Sequence, residues 1–470
     1  MVRGADEDGD DPVWSRRRLL RWGLAVGAGA LSGCSLFDAP DGSTVTPAPV
    51  EGAATDEGDP QADTPAPGSG RAGGETATSG EGRTDERTAT PAPPDGWPVV
   101  QGDDAHTGWR PESTGPTAGP GSAVEPAWSV GLGGAVRGSV AVAGGTAYVG
   151  SGDGTVTALA ASGTGTSGTG APAASDDTSG AERWTRETGA AVRATPTVAG
   201  GVVYCGDEGG TLTALEADDG RERWSFAVAG DRAGPSAVRG GPVVADGTVR
   251  FGATDGRVYA VNAADGSERW RFDAGGFLGV AAPVALADGR VFAGSYAGRI
   301  YALDADTGRE EWRYVGPGGV RTWSGPTVAD GVVYAGASPG GIAAVDALDG
   351  TEWWRRETDG PVFSSPAVAD DTLYVGTDGG SVLALDTADG TERWRHETDG
   401  AVKSSPAVVD GRVYVGTDGG SVLALDAGDG TERWRAALGG RVTSSPAVVD
   451  GRVYVGDGTG DVHALGAVDR

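Results

Sequence analysis

The chain has 470 residues, of which 85 are Gly and 27 are Pro. This proportion approaches that of disordered chains, so a folded protein is expected only if the sequence repeats. The formal net charge is −29, which excludes a nucleic-acid-binding surface spread over the whole protein, because such binding needs clustered cations. Lys403 is the only lysine and Asn262 the only asparagine. This composition resembles that of proteins from salt-loving organisms, in which molar salt screens the repulsion between surface carboxylates.

Residues 1–33 have the pattern of an export signal. Arg16 and Arg17 precede an apolar run from Gly23 to Leu31, which is shorter than the roughly 20 residues that span a bilayer. Paired arginines are typical of the twin-arginine route, and the Leu-Ser-Gly-Cys sequence ending at Cys34 resembles the lipobox of lipoproteins. We therefore predict lipidation of Cys34 and an anchor on the outer face of the cytoplasmic membrane. The alternative is an ordinary signal peptide in which Cys34 is incidental.

Residues 34–95 are expected to form a disordered acidic tether, because they are rich in Ser, Thr, Pro and Gly and contain almost no large apolar residue. Residues 96–470 repeat instead. A glycine that closes a Tyr-x-Gly-like element recurs at intervals of 56, 46, 42, 42, 40, 40 and 40 residues, at Gly150, Gly206, Gly252, Gly294, Gly336, Gly376, Gly416 and Gly456. A Ser/Gly/Thr-rich insertion at about 161–180 accounts for the long first interval and is expected to be a flexible loop.

Each repeat contains four short strand patterns. In the seventh they occupy 404–409, 412–416, 421–426 and 431–436, with Asp-Gly and Gly-Gly turns between the first three. These dipeptides supply the positive φ that two-residue hairpin turns require. A period near 40 with four strands is typical of a propeller blade, and the absence of a 3.6-residue periodicity excludes helical repeats. We therefore predict an all-β, eight-bladed propeller of four-stranded antiparallel blades.

A tryptophan in each fourth-strand segment gives an independent count of the blades. The eight residues are Trp128, Trp184, Trp224, Trp270, Trp312, Trp354, Trp394 and Trp434. Trp128 precedes the first repeat, whereas no tryptophan follows the last third strand, Asp461 to Leu465. We therefore predict that the strand around Trp128 completes the last blade, so that the ring closes without a free edge.

The segment from Ala302 to Trp312 resembles the tryptophan-docking motif of the pyrroloquinoline quinone (PQQ) repeat, and Ala384 to Trp394 and Ala424 to Trp434 repeat it. Ala and Gly in the motif leave a slot that an indole fills between blades. The resemblance extends from about Trp97 to the end of the chain and implies the propeller fold. The family includes quinoprotein dehydrogenases and the non-catalytic scaffold lipoprotein of the bacterial barrel-assembly machinery, so the fold does not decide the function.

The resemblance implies adjacent cysteines beside PQQ, and a calcium ion held by Glu, Asn and Asp, in the dehydrogenases of the family. This chain has only Cys34 and Cys205, and Asn262 takes the place of a docking-motif Asp. The aspartates that could bind calcium lie in hairpin turns that already explain them, at Asp153, Asp255, Asp378 and Asp418. The histidines, His106, His396 and His463, lack metal-ligand spacing. We expect no cofactor and no metal; a PQQ-dependent dehydrogenase with calcium is the alternative.

The mouth of the central channel, where each innermost strand begins, is the candidate binding site. Three residues before the Pro of that strand, or before its equivalent Val140, six repeats carry a cation or an aromatic residue: Arg137, Arg193, Arg239, Trp323, Phe363 and Lys403. The other two carry Val280 and Thr443. A focused positive mouth with aromatic walls favours a protein segment or small ligand that is anionic. The alternative is that the cations offset nearby carboxylates.

These observations together predict an extracytoplasmic, membrane-anchored binding or scaffold protein. We expect it to be a monomer and not an enzyme, and to bind a protein or a small anionic ligand at the outer face of the membrane. A nucleic-acid partner is excluded by the charge of the chain.

Overall fold

The computed structural model describes residues 96–97, 103, 108, 115–116, 122–161, 179–228, 236–275, 279–316, 321–322 and 324–466. The predicted signal peptide, Cys34, the tether and most of the insertion at 161–180 lie outside the described residues. All described residues belong to one compact unit, 87–470. They form 35 strands, and none of them belongs to a helix that could cross a membrane.

The strands form eight sheets, here called blades 1–8 in chain order. Three strands precede the first blade: β1 (Gly96–Trp97), β2 (Ser122–Ala123) and β3 (Glu125–Gly131). Blade 1 contains β4 (Ala141–Ala143), β5 (Thr146–Gly150), β6 (Thr155–Ala160) and β7 (Glu182–Glu187), and blade 2 contains β8 (Thr197–Ala199), β9 (Val202–Gly206), β10 (Thr211–Glu216) and β11 (Glu222–Ala227). Blade 3 contains β12 (Val243–Ala245), β13 (Thr248–Gly252), β14 (Arg257–Asn262) and β15 (Glu268–Asp273). Blade 4 contains β16 (Ala285–Ala287), β17 (Arg290–Ser295), β18 (Arg299–Asp304) and β19 (Glu310–Val315).

Blades 5–8 continue the same order. Blade 5 has an additional short strand, β20, before its four regular ones. Blade 5 contains β20 (Arg321–Thr322), β21 (Thr327–Ala329), β22 (Val332–Ser338), β23 (Gly341–Asp346) and β24 (Glu352–Arg356), and blade 6 contains β25 (Ala367–Ala369), β26 (Thr372–Gly376), β27 (Ser381–Asp386) and β28 (Glu392–Glu397). Blade 7 contains β29 (Ala407–Val409), β30 (Arg412–Gly416), β31 (Ser421–Asp426) and β32 (Glu432–Ala437). Blade 8 contains β33 (Ala447–Val449), β34 (Arg452–Gly456) and β35 (Asp461–Gly466).

The turns have the backbone geometry that their residues predict. In the last blade, Asp450 and Gly451 join β33 to β34 with φ values of 51° and 74°. Two successive positive φ values are required at the centre of a type I′ hairpin turn, whose twist matches that of the flanking strands. Asp tolerates the left-handed conformation better than most residues, and Gly adopts it at no steric cost. This turn chemistry is therefore what sets the register of the meander.

The apolar core is divided among the interfaces between neighbouring blades. Trp184 of blade 1, for example, packs in one cluster with Val203 and Leu215 of blade 2. Both faces of a blade are therefore covered, and almost all residues of the second and third strands are buried or half-buried. A single blade could not bury these faces, so the blades must stack into a ring.

The docking tryptophans link each blade to the next. Seven of them donate the indole Nε1–H to a main-chain carbonyl of the following blade at 2.8–3.3 Å: Trp128, Trp184, Trp224, Trp270, Trp312, Trp354 and Trp394. The glycine of the following blade's turn faces the same ring. A Cβ at Gly308, for instance, would lie 2.5 Å from the indole of Trp270, so a larger residue cannot occupy the slot.

The ring is closed as predicted. Strand β3 pairs antiparallel with β35, with Trp128 opposite Ala464, and thus supplies the outer strand of blade 8. Two further N-terminal strands were not anticipated by the repeat pattern. Strand β1 pairs antiparallel with β4, and β2 pairs in parallel with β32, where Ser122 lies opposite Trp434. Strands β1, β2 and β3 therefore contact blades 1, 7 and 8, respectively.

Candidate functional site

A series of hydroxyl groups connects the innermost parts of six blades around the channel. From blade 5 through blades 6, 7, 8 and 1 to blade 2, a main-chain N–H donates to a Ser or Thr hydroxyl of the next blade at 2.9–3.0 Å. The order of residues is Gly325, Ser365, Ser405, Ser445, Ser139 and Thr195. Each bond satisfies a buried or partly buried polar group and joins two blades, so the series holds the channel wall in place.

The repeated Ser-Ser-Pro sequence explains this arrangement, and the two serines have different roles. Ser405 is the second serine of its motif and accepts a hydrogen bond from blade 6. The first, Ser404, stays within its blade: its Oγ donates to the Gly416 carbonyl at 2.9 Å and accepts from the Gly416 N–H at 2.7 Å. The motif was visible in the sequence, but only the ring places the second serine beside the neighbouring blade.

These hydroxyl-bearing residues line a cavity of about 160 Å³ at the mouth of the channel. Arg137, Arg193, Arg239 and Phe363 also line it, so the structure brings four of the six predicted site residues together. Trp323 lies outside the described residues. The cavity therefore combines three guanidinium groups, one aromatic ring and a wall of hydroxyl groups.

Glu208 pairs with two of these guanidinium groups. Arg239 donates to its carboxylate through Nε at 2.9 Å and through a terminal nitrogen at 2.8 Å, which is the bidentate geometry that makes an Arg–carboxylate pair strong. Arg193 Nε lies 3.8 Å from the same carboxylate. Glu208 belongs to the turn between β9 and β10, and the sequence analysis did not identify it as a site residue. It leaves the positive charge of the mouth only partly neutralised.

Arg137 is the least compensated cation of the mouth. Within the described ranges it forms no ion pair, and its pKa lies below the ordinary value, first because of burial and then because of repulsion from Arg193 and Arg441. Arg441 is thus a fourth guanidinium close to the mouth. Comparison of the repeats did not reveal Arg441, because the residue that it compares in this repeat is Thr443, two positions later. Mutual repulsion among these groups favours the arrival of an anion.

Lys403 does not belong to this group. Its ammonium lies 2.6 Å from a carboxylate oxygen of Asp418 and 3.5 Å from one of Asp378, and it is not among the described residues that line the cavity. Both aspartates lie in turns between second and third strands. For Lys403, the geometry therefore corresponds to the alternative in which a cation offsets the carboxylates of hairpin turns.

The alignment of blade 4 is one residue out of register. Val280 is buried, and its N–H donates to the Ala253 carbonyl, as Val192 donates to the Ser151 carbonyl two blades earlier. Val280 is therefore equivalent to Val192, which packs in the core between blades 1 and 2, and Ala281 takes the position of Arg193. The segment between this valine and the Pro of the innermost strand is one residue shorter in blade 4 than in blade 2. Counting back from Pro283 therefore selects Val280 instead of Ala281.

One group of side chains in blade 8 has the residue types of a metal site. The ligand atoms of Asp457, Asp461 and His463 lie within 4.8 Å of one another. Hydrogen bonds already account for this group: Asp457 accepts three turn N–H groups, and the His463 ring nitrogens lie 2.7 Å from Ser129 Oγ and 3.4 Å from Asp457. Since Ser129 is on β3, the network helps to hold the closing strand.

The fold and the mouth define a closed, eight-bladed propeller with tryptophan-docked blades. A family model described as "Outer membrane protein assembly factor BamB" matches residues 122–273, 254–364 and 339–469. The chain belongs to this family of PQQ-repeat propellers. A comparison with curated protein sequences finds no match.

Several solved structures are similar to this chain. BamB from Moraxella catarrhalis is 22% identical, with a TM-score of 0.60, over 73% of this chain and 100% of that one. Quinohemoprotein alcohol dehydrogenase from Comamonas testosteroni is 18% identical, with a TM-score of 0.67, over 81% and 82%. The computationally designed Ika8 protein is 20% identical, with a TM-score of 0.59, over 72% and 98%. At these identities the likeness shows the fold alone, and it is shared by proteins of different function.

Proposed function

We propose that this protein is an extracytoplasmic, lipid-anchored binding or scaffold protein that holds a carboxylate-bearing partner at the channel mouth. The observation that carries the proposal is the set of guanidinium groups there: Arg137, Arg193 and Arg239 line the mouth, with Glu208 as the carboxylate beside them and Arg441 as a further cation close to Arg137, in a chain whose net charge is −29. The carboxylate can belong to an acidic segment of a protein or to a small anion. The same four arginines would bind the carboxylate in either case.

High salt makes direct contact essential for such recognition. At molar salt the Debye length is about 3 Å, so distant charges contribute little to the attraction. A guanidinium still donates two parallel hydrogen bonds to a carboxylate that touches it, and the Phe363 ring offers an apolar surface beside it. We therefore propose a partner that enters the mouth rather than one attracted from a distance.

The residues of this chain do not fit PQQ with calcium, which is the alternative function. Asn262 Oδ1 accepts the Ala264 N–H in a turn at the end of β14, away from the channel lining. Asp255 binds Arg257 and Tyr259, and Asp378 and Asp418 bind Lys403. The mouth cavity, about 160 Å³, is smaller than the roughly 300–1,000 Å³ typical of cofactor pockets. These contacts favour binding over quinone chemistry.

Replacing Arg137 and Arg193 together with Ala is expected to abolish recovery of the partner in a pull-down from solubilised membranes, while the melting temperature stays unchanged. These two side chains hold the least compensated charge of the mouth, and neither has an ion pair shorter than 3.8 Å among the described residues. Lys403→Ala is the matched control, since it removes a cation that lies outside the cavity. Equal recovery by the double variant and the wild type would refute the proposed site.

Replacing Cys34 with Ser is expected to release the mature protein from the membrane into the medium, because stable attachment depends on buried acyl chains. Fractionation followed by immunoblotting measures the distribution. Cys205→Ser is the control, since Cys205 is a buried core residue and cannot carry the anchor. A Cys34 variant that stays in the membrane fraction after salt and carbonate washing would overturn the anchor.

A further inference from the structure

Blade 8 brings three potential metal ligands together where it meets blade 7. Asp461 and His463 are two residues apart on β35, so their side chains point to the same face of the blade. Asp457 lies in the turn between β34 and β35, and the ligand atoms of the three side chains are within 4.8 Å of one another. The Asp457 side chain is 0% exposed and that of His463 is 8% exposed. The group is therefore largely shielded from water.

The hydrogen bonds of this group fix its position but leave ligand atoms available. Four donors of the turn bind one oxygen of Asp457, Oδ1, at 2.6–3.1 Å: the N–H groups of Thr459, Gly460 and Asp461, and the Thr459 hydroxyl. The other oxygen, Oδ2, lies 3.4 Å from His463 Nε2, beyond the roughly 2.7–3.2 Å of an ordinary N–H···O bond. Two ligand atoms at about 2.1 Å from a tetrahedral metal ion are about 3.4 Å apart, so this separation suits two ligands of one ion.

The negative charge of the group has no arginine or lysine partner in the part of the chain that the structure describes. Burial alone would raise the pKa of Asp457, but the hydrogen bonds from Thr459, Asp461 and His463 outweigh it and hold that pKa below its ordinary value. Asp457 is thus an ionised carboxylate without exposed surface, beside a second carboxylate. Buried charges in proteins are paired or bound to metal ions.

In blade 7 an arginine occupies the place next to the equivalent group. Arg435 lies opposite Leu423 there, whereas Ser129 lies opposite His463 in blade 8. A terminal nitrogen of Arg435 is 3.2 Å from Asp399 Oδ2 of the preceding blade, so the arginine neutralises the carboxylate of that interface. Blade 8 therefore has a neutral hydroxyl where blade 7 has a cation.

The sequence of blade 8 also differs at the ligand positions themselves. Where blade 8 has Asp457, Asp461 and His463, blades 6 and 7 both have Thr, Ser and Leu. Gly439 takes the place of Asp399, and a Cβ at Gly439 would meet no described atom within 4 Å. One interface has thus gained three ligand side chains and lost both the arginine and the carboxylate that it paired, which leaves open space for an ion.

The donor set favours a transition-metal ion over calcium. Imidazole and carboxylate together suit Zn²⁺ and similar ions, whereas Ca²⁺ takes six to eight oxygen ligands. A histidine that binds a metal through one ring nitrogen donates the other N–H to a neighbouring acceptor. His463 Nδ1 lies 2.7 Å from Ser129 Oγ, which can accept that bond and leave Nε2 free for the ion.

We propose that Asp457, Asp461 and His463 form a binding site for a divalent transition-metal ion with the donor preference of Zn²⁺. The ion is held by Asp457 Oδ2, an oxygen of Asp461 and His463 Nε2, and it compensates the buried negative charge. This proposal replaces the expectation, drawn from the spacing of the histidines, that the chain binds no metal. The site is independent of the channel mouth, and it stands whether or not the mouth binds a carboxylate.

Isothermal titration calorimetry with Zn²⁺ tests the proposal on the full chain, purified without a histidine tag and freed of metal with a chelator. We expect one ion to bind per chain, at least about tenfold more tightly than Ca²⁺. Saturating Zn²⁺ should also raise the melting temperature, because an ion that binds the folded state stabilises it. The absence of saturable binding, or an equal affinity for Ca²⁺, would overturn the proposal.

Matched variants locate the site. His463→Leu copies the residue of blades 6 and 7, and it is expected to weaken Zn²⁺ binding at least about hundredfold, since losing even an outer partner of a ligand costs about 10–100-fold. His396→Phe is the control, because blades 2 and 3 have Phe at the same register position, and it should leave the affinity unchanged. Unaltered binding by His463→Leu would refute the site. If that variant does not fold, Asp461→Ser, which also copies blades 6 and 7, decides by the same measurement.

Discussion

Replacing Trp434 with Ala is expected to lower the free energy of unfolding by about 3–5 kcal/mol, the range for a large aromatic side chain truncated in a core. Trp434 is 1% exposed, whereas the other docking tryptophans are 8–9% exposed. It packs against Tyr414, with ring centroids 5.8 Å apart, and β2 lies alongside it. Neither the Trp434 Nε1 nor the Tyr414 hydroxyl has an acceptor among the described residues, so the loss comes from apolar packing rather than from a broken hydrogen bond.

Trp353→Ala is the matched control for this experiment. Trp353 lies on the outer strand of blade 5 and is 51% exposed, so its replacement should change the free energy of unfolding by about 0.5 kcal/mol or less. Denaturant titration followed by circular dichroism, in the same high salt for both variants, gives the two values. A Trp434 variant no less stable than the Trp353 variant would contradict the docking role of Trp434.

Deleting Glu125–Gly131 is expected to cause the largest loss of stability and to make the protein associate. The deletion removes β3, which leaves blade 8 with three strands and exposes the edge of β35. An unpaired edge strand is a template for pairing with another chain. The contact of the Trp128 indole with the Ala161 carbonyl of blade 1 is lost as well. We expect the free energy of unfolding to fall by at least about 3–5 kcal/mol, the cost of the tryptophan alone.

Light scattering coupled to size-exclusion chromatography, together with a thermal scan, measures both effects. A deletion of equal length within the predicted tether, residues 55–61, is the control and should leave the mass and the melting temperature unchanged. A monomeric variant that melts at the wild-type temperature would show that the ring does not depend on β3.

Much of the fold could be predicted from the sequence, because a propeller repeats its local interactions. Each repeat has its own turn residues and its own docking tryptophan, so the eight similar segments independently predict the same four-stranded blade. The excess tryptophan at Trp128 and the missing one after Leu465 were sufficient to predict closure. The pairings of β1 and β2 could not be predicted, since strands of two residues show no periodicity.

The candidate site was only partly predictable. The positions of Arg137, Arg193, Arg239 and Phe363 follow from their equal distance to the start of each innermost strand. The role of Glu208 does not, because a turn carboxylate is common, and only the packing of adjacent blades brings it to Arg239. Lys403 is held instead by Asp418 of its own blade and Asp378 of blade 6.

The sequence by itself determined the number of blades, their strand order and the ring of docking tryptophans, because these depend on local turns and on periodic apolar residues. Only the tertiary structure decided which side chains of different blades meet. The packing of blades 2 and 3 placed Glu208 of one blade against Arg239 of the next, and the N-terminal strand β1 paired with β4 of blade 1. Such contacts join residues whose separation in the chain varies with every insertion, so no local pattern records them.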